Sequence, residues 1–196
     1  MSPVSANAKP SLFSPLNLQA RSLAWKAAAV AIGTVVLALA SYIEVPLVPV
    51  PVNMQTLAVT LIGALYGWRL GGLTVVAWLI EAAMGLPVLS GGAAGAHHFV
   101  GPTAGYLFAF PLVAAMTGFL AEKGWNGTRP LLAFVSMLAG NALCLALGGA
   151  WLAVVIGFDA ALQAGVLPFV LGGALKSALA AALLLAFSRA TPNRAA

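Results

Sequence analysis

Two charged side chains interrupt the apolar stretches of this sequence, Lys176 and Glu81. Lys176 follows eight residues of the apolar stretch that begins at Pro168, which corresponds to a depth of about 12 Å if the stretch is helical. Charged groups in such surroundings are costly and usually functional. Lys176 is therefore a candidate cation for an anionic group of a ligand. The alternatives are a structural ion pair with Glu81 and a side chain that reaches towards the membrane interface, although a lysine this deep cannot easily reach it.

Two amides and two aromatic residues lie in or beside the same kind of stretch. Asn141 is near the middle of one, and its side chain offers both donors and an acceptor. A ligand contact and a hydrogen bond between helices both explain it. Gln55 precedes another apolar stretch, where it would lie at the mouth of a pocket. Tyr106 is a candidate pocket aromatic, whereas Trp151 is better explained as an aromatic residue of the membrane interface.

The stretch from Ser90 to Tyr106 is rich in glycine and carries both histidines of the sequence. Glycine allows backbone conformations and close approaches that other residues do not, so this run is not expected to stay helical. It is either a loop folded over a small-molecule pocket or a plain connector. With the residues above, the candidate substrate-binding set is Gln55, Gly91, Gly92, Gly101, Thr103, Gly105, Tyr106, Asn141 and Lys176.

No catalytic or metal-binding set can be assembled from these residues. Ser90 and Thr103 have histidines close in sequence but no carboxylate to orient them. His97 and His98 are adjacent, without a nearby Cys, Asp or Glu, which makes a poor metal site. No Gly-x-x-x-x-Gly-Lys-[Ser/Thr] motif is present, so ATP hydrolysis by that route is not expected. The sequence predicts neither an enzyme nor a cofactor.

The composition predicts an integral membrane protein. Of 196 residues, 62% are hydrophobic and 7% are charged, and the mean hydropathy is +1.02. Soluble domains carry about 25% charged residues. The net charge of +5 does not indicate nucleic-acid binding, because the basic residues are scattered singly between apolar stretches. The single cysteine, Cys144, lies in an apolar run and is expected to be a small buried hydrophobe.

The apolar stretches predict an all-α bundle of six transmembrane helices in residues 24–188, between an N-terminal arm (1–23) and a tail (189–196). Each span needs about 20 residues. Two irregular external loops connect the spans. The first, 44–56, carries three prolines and is expected to be extended, and the second is the glycine-rich loop 90–102. The predicted spans are 24–43, 52–67, 70–89, 103–121, 131–157 and 168–188.

The charges predict the orientation. With the N-terminus in the cytoplasm, eight of the nine basic residues lie on the cytoplasmic side, and the external connections hold no Lys or Arg. This is the asymmetry that orients membrane proteins. Both termini are therefore expected in the cytoplasm and both irregular loops outside. The eight residues are Lys9, Arg21, Lys26, Arg69, Lys123, Arg129, Arg189 and Arg194.

Several short motifs occur in order along the sequence: 49–58 (PVPVNMQTLA), 85–88 (GLPV), 91–92 (GG), 101–106 (GPTAGY), Gly140-Asn141 and 168–176. Together they resemble the BioY family, the biotin-binding S components of energy-coupling-factor (ECF) transporters. The first motif resembles the family's first external loop, and the next three resemble its central signature. The last two resemble its last two spans. The family usually has Gly-Asp before Leu-x-Lys, whereas this sequence has Gly173-Ala174, so the lysine lacks its acidic neighbour.

The resemblance implies a six-helix S component that binds biotin from outside and delivers it across the cytoplasmic (inner) membrane. It implies as partners a transmembrane coupling protein and ATPase subunits. Biotin suits the candidate residues, since its carboxylate needs one cation, its ureido group needs amides, and its body is apolar. The alternatives are an S component for another small vitamin or carboxylate, and an intramembrane enzyme.

A small-residue surface on the first helix is a candidate partner interface. Ala27 and Ala31 are four residues apart and share one helical face, and small residues allow helices to approach closely in membranes. Packing within the bundle is the alternative explanation.

Overall fold

The computed structural model describes Leu16, Leu18 and residues 21–190, so most of the predicted arm 1–23 and part of the tail 189–196 lie outside the described residues. Within that range, seven α-helices follow one another: α1 (Leu23–Tyr42), α2 (Gln55–Tyr66), α3 (Trp68–Ala83), α4 (Ala104–Glu122), α5 (Pro130–Ile156), α6 (Phe158–Ala161) and α7 (Leu167–Ala190). A two-residue antiparallel pair, β1 (Glu44–Val45) and β2 (Val52–Asn53), lies between α1 and α2.

The helices form one bundle with α4 at its centre. α4 packs against α2, α3 and α5, while α7 packs against α5 and α2, and α1 lies at the edge against α2 and α3. Close packing around α4 depends on small residues. A Cβ atom on Gly118, for example, would be 2.6 Å from the backbone nitrogen of Trp68. The predicted all-α membrane bundle is confirmed.

The helices differ in how much of a membrane they could cross. In the part of the chain that the structure describes, four segments are long and apolar enough to span a bilayer: Leu23–Tyr42, Ala104–Glu122, Pro130–Ile156 and Phe158–Ala190. α2 has 12 residues and α3 has 16, which gives lengths of about 18 and 24 Å against a hydrocarbon core of about 30 Å. The second and third predicted spans are therefore shorter than expected.

Two of the predicted boundaries differ from the structure. α3 ends at Ala83 rather than near Leu89, because Gly85 adopts a positive φ of 98° and turns the chain out of the helix. The predicted polar connection before the last span is helical, with α6 leading through a π-helical turn (Leu162–Val166) into α7. Pro168 has no N–H to donate to the carbonyl of Ala164, and a wider turn at this point accommodates that loss.

The proline-rich loop 44–56 folds back on itself instead of remaining extended. Glu44 pairs with Asn53 and Val45 with Val52. The three prolines fall at 46, 49 and 51, in the turn between the paired residues, where a missing N–H costs no ladder hydrogen bond. The hairpin brings Asn53 to the glycine-rich loop, where its Nδ2 donates to Ser90 Oγ over 2.9 Å.

Candidate functional site

A cavity of about 290 Å³ lies at the end of the bundle where loops 44–56 and 90–102 meet. Its walls are mostly apolar, with polar groups at a few points, as small-molecule sites commonly have. The helices α2, α4, α5 and α7 each contribute residues, and the two loops close it. The lining residues are Pro49, Val50, Pro51, Asn53, Gln55, Thr56, Leu89, Ser90, Ala93, His98, Pro102, Thr103, Tyr106, Leu107, Phe110, Asn141, Cys144, Leu145, Phe169 and Lys176.

Lys176 is the lysine of this wall, and its side chain is buried, with 9% of its surface exposed. Its Nζ donates to the backbone carbonyl of Asn53 over 3.0 Å, which ties α7 to the hairpin. An ammonium group has three donors, so two remain for other acceptors. Within the described residues Lys176 and Glu81 form no ion pair, and Glu81 is not a residue of the cavity wall.

Asn141 presents a defined face to the cavity. Its Nδ2 donates to the carbonyl of Met137 and to Ser177 Oγ, each over 3.1 Å. Both amide hydrogens are used in these bonds, so the acceptor Oδ1 is the polar atom left for a ligand. Ser177 adjoins Lys176 in α7, and the Asn141–Ser177 bond therefore joins the two helices that carry the cation and the amide.

A chain of hydrogen bonds connects the two loops beside the cavity. Asn53 Nδ2 donates to Gln55 Oε1 over 3.0 Å as well as to Ser90, and Gln55 Nε2 donates to Ser41 Oγ over 2.9 Å. The Ser90 hydroxyl in turn donates to the carboxylate of Glu44. The sequence predicted Gln55 at the open mouth of a pocket. In the structure, Gln55 is instead buried in this network.

Two further lining residues show how the wall is held. The Tyr106 hydroxyl donates to the carbonyl of Gly165 over 2.7 Å, so the ring is fixed by the π-helical turn before α7. The rings of His97 and His98 lie 4.1 Å apart. Partial burial, and to a lesser degree the neighbouring His97, lowers the pKa of His98, so the folded protein favours its neutral ring.

Five of the nine candidate residues lie on the cavity wall: Gln55, Thr103, Tyr106, Asn141 and Lys176. The four glycines do not. Gly91 has a φ of 61°, and a Cβ atom there would be 2.7 Å from Glu44 Oε1. A Cβ atom on Gly92 would be 3.1 Å from the Tyr42 hydroxyl.

The other two glycines face α5. A Cβ atom on Gly105 would be 2.3 Å from the Cβ of Trp151, while the carbonyl of Gly101 accepts a hydrogen bond from Trp151 Nε1 over 3.0 Å. All four glycines therefore shape the loop and its packing instead of facing the cavity.

Four further polar residues of the wall were not in the predicted substrate-binding set, namely Asn53, Thr56, Ser90 and His98. Thr56 Oγ1 is buried and has no hydrogen-bond partner among the described residues. The signal for these residues was their place in the two loops already expected to cover a pocket. In the part of the chain that the structure describes, no group of three or more metal-ligating side chains is found.

The comparisons with known proteins agree with this architecture. A sequence model of the BioY family matches residues 10–193. A probable biotin transporter of Pyrococcus horikoshii is 36% identical over 138 residues, covering 70% of this chain and 80% of the relative. A biotin transporter of Thermotoga maritima is 35% identical over 166 residues, covering 82% and 94%.

A solved structure has the same fold. It is the crystal structure of the S-component for biotin from an ECF-type ABC transporter, and it matches with a TM-score of 0.75 and 26% identity over 87% of this chain and 95% of that one. The resemblance seen in the sequence is confirmed. This chain belongs to the BioY family, whose sequence model matches residues 10–193.

Proposed function

We propose that this chain binds biotin in the cavity under loops 44–56 and 90–102 and mediates biotin uptake as the S component of an ECF transporter. The observation that carries the proposal is an apolar cavity with one buried lysine, Lys176, in a member of a family whose named relatives are biotin transporters. It is a transport protein and not an enzyme.

The chemistry of biotin matches the free polar atoms of the wall. Its carboxylate needs a cation, and Lys176 Nζ keeps two donors beyond its bond to Asn53. Its ureido N–H groups need acceptors, and Asn141 Oδ1 is an acceptor whose own amide hydrogens are already used. Its bicyclic body and aliphatic chain suit apolar side chains such as Phe110 and Phe169.

We assign the ligand contacts to the five candidates on the wall and give the four glycines an indirect role in forming the loops. A titration of the purified protein with biotin, and with other vitamins as competitors, tests the substrate. Binding of biotin in preference to the others supports the proposal. Binding of a different small carboxylate instead would favour the alternative S component.

The proposal includes partners that are not part of this chain, a transmembrane coupling protein and ATPase subunits. Ala27 and Ala31 are exposed on α1, the helix at the edge of the bundle, and are available for close packing with a partner helix. Replacing both with leucine should abolish uptake while biotin binding remains. Loss of biotin binding would favour packing within the bundle.

We also propose the inner membrane as the location, with both termini cytoplasmic and residues 24–188 as one six-helix membrane domain. Single cysteines at His97 and Lys123, both exposed and at opposite ends of the bundle, test the orientation. An impermeant thiol reagent added outside should label position 97 and not position 123. Asn126 is buried and is unsuitable as the inner position. Labelling of position 123 alone would reverse the topology.

A further inference from the structure

A second cavity lies at the opposite end of the bundle from the biotin cavity, where α1 and α3 begin. Its volume is about 300 Å³, and its lining residues are Leu18, Lys26, Arg69, Leu70 and Leu73. Among the described residues it shares none with the cavity under the two loops. Two cations and three leucines are an unusual combination for a site that water alone would fill.

The two cations occupy positions that are unfavourable unless an anion is nearby. Lys26 and Arg69 are in the first turns of α1 and α3, and neither first turn contains an acidic residue. Helix N-termini carry a partial positive charge that disfavours cations and attracts anions. Both helices begin at this end of the bundle, so two cations and two helix N-termini converge on one cavity.

The acidic side chain near this point is Glu122, whose Oε1 accepts a hydrogen bond from the backbone N–H of Trp68 over 3.3 Å. One carboxylate does not balance both basic side chains and the two helix termini. The Arg69 guanidinium stacks over the Trp68 ring, 4.9 Å from its centroid, which orients the guanidinium without neutralising it. The cavity therefore remains electropositive.

The surroundings of the cavity indicate its depth in the membrane. Trp25 and Trp68 precede the lining residues Lys26 and Arg69 in the sequence and are 62% and 40% exposed. Exposed tryptophans are typical of the membrane–water interface. Leu73, one turn deeper along α3, is 57% exposed. Exposed tryptophans beside an exposed leucine are the arrangement expected where lipid headgroups meet acyl chains.

We infer that this cavity binds an anionic phospholipid. The phosphodiester of the headgroup contacts Lys26 and Arg69, and an acyl chain lies along Leu70 and Leu73. The two basic side chains attract an anion, and the leucines favour an apolar tail on the same molecule. A lipid provides both, whereas free phosphate provides only the first.

The test compares lipid retention by native mass spectrometry after reconstitution with phosphatidylglycerol and phosphatidylcholine. The test variant is Lys26→Gln with Arg69→Gln. The matched control is Lys123→Gln with Arg129→Gln, which removes two exposed charges from the α4–α5 turn at the same end of the bundle. Biotin binding by each variant serves as the check of folding, because the biotin cavity is at the other end.

The wild type and the control should retain phosphatidylglycerol in preference to phosphatidylcholine. The test variant should lose about 25-fold in relative phosphatidylglycerol affinity, from about fivefold for each basic residue. Lys26→Gln alone should lose about fivefold in relative phosphatidylglycerol affinity. This single variant keeps the test usable if the double variant does not fold. Unchanged retention by a test variant that still binds biotin overturns the inference.

Two further arms identify the source of the phosphate. Inorganic phosphate, added at millimolar concentration, should displace little phosphatidylglycerol. If it displaces the lipid fully, the cavity is an anion site and not a lipid site. If the test variant keeps the lipid but no longer co-purifies with the coupling protein, the two cations serve a protein contact, and the lipid inference is wrong.

Discussion

Replacing Lys176 with methionine should weaken the binding of biotin far more than the binding of biotin amide. Lys176 is buried in the cavity wall, and methionine has a similar length, so the change removes the charge without opening a large space. The amide of biotin has no carboxylate charge. If Lys176 acts through its charge, its loss should therefore weaken the binding of the acid and hardly change the binding of the amide.

The expected loss follows from the contacts of the ammonium group. A hydrogen bond to a charged group contributes about 1.5–3 kcal/mol, which corresponds to about a tenfold to hundredfold loss in affinity. The bond from Nζ to the Asn53 carbonyl, at 3.0 Å, is also lost in the variant. That second loss acts on the loop and should weaken the acid and the amide equally.

Isothermal titration of the purified protein with both ligands separates these two effects. Lys176→Gln is the companion variant, because it carries no charge but keeps a hydrogen-bond donor, one bond nearer the backbone than the ammonium group. Lys123→Met is the control, since it removes an exposed lysine at the other end of the bundle. If Lys176→Met weakens the acid and the amide by the same factor, the lysine has a structural role and the assignment is wrong.

Three other changes have defined outcomes. Gly148→Ala should reduce biotin affinity, because the new Cβ would lie 2.1 Å from the Tyr106 ring and overpacking costs about 1–3 kcal/mol. Gly172→Ala is the control and should leave the affinity unchanged, because a Cβ there would have nothing within 4 Å. Equal biotin affinities for the two variants would contradict this prediction. Glu81→Gln should change the Kd by no more than about twofold, because Glu81 is outside the cavity; a tighter complex would mean that it competes with the ligand. The pKa of His98 is lowered in the folded protein, which therefore favours the neutral ring. The stabilisation that His98 provides is present above its ordinary pKa of 6.5 and is lost as the pH falls below that value. Thermal unfolding at pH 8 and pH 5.5 should therefore show a smaller pH effect for His98→Gln than for the wild type.

Much of the fold could be predicted because its signals are local. Each apolar stretch must satisfy its own backbone hydrogen bonds in lipid, so hydropathy reports helices residue by residue. Proline and glycine act on their own segments, and they marked both loops that close the cavity. The ends of the helices were predicted less accurately than the helices themselves. The continuity of α6 and α7 could not be read from Asp159 and Gln163, because one or two polar residues do not end a helix.

The candidate site was predicted in part, and the division has a physical cause. The types of Lys176, Asn141 and Tyr106 identified them, because a buried cation, amide or phenol in an apolar stretch needs a partner. Their partners lie far away along the chain. Lys176 bonds to Asn53, 123 residues earlier, and Ser90 bonds to Glu44, 46 residues earlier. No local pattern contains that information.

The sequence by itself determined the class of protein, the family and the residues that could meet a carboxylate. Only the tertiary structure decided which groups surround them. It placed Glu81 away from Lys176, turned the four glycines toward Glu44, Tyr42 and Trp151, and brought the cations of α1 and α3 to one cavity. The reason is that hydropathy acts on each residue alone, whereas the rotation of each helix and the fold of each loop follow from packing across the whole bundle.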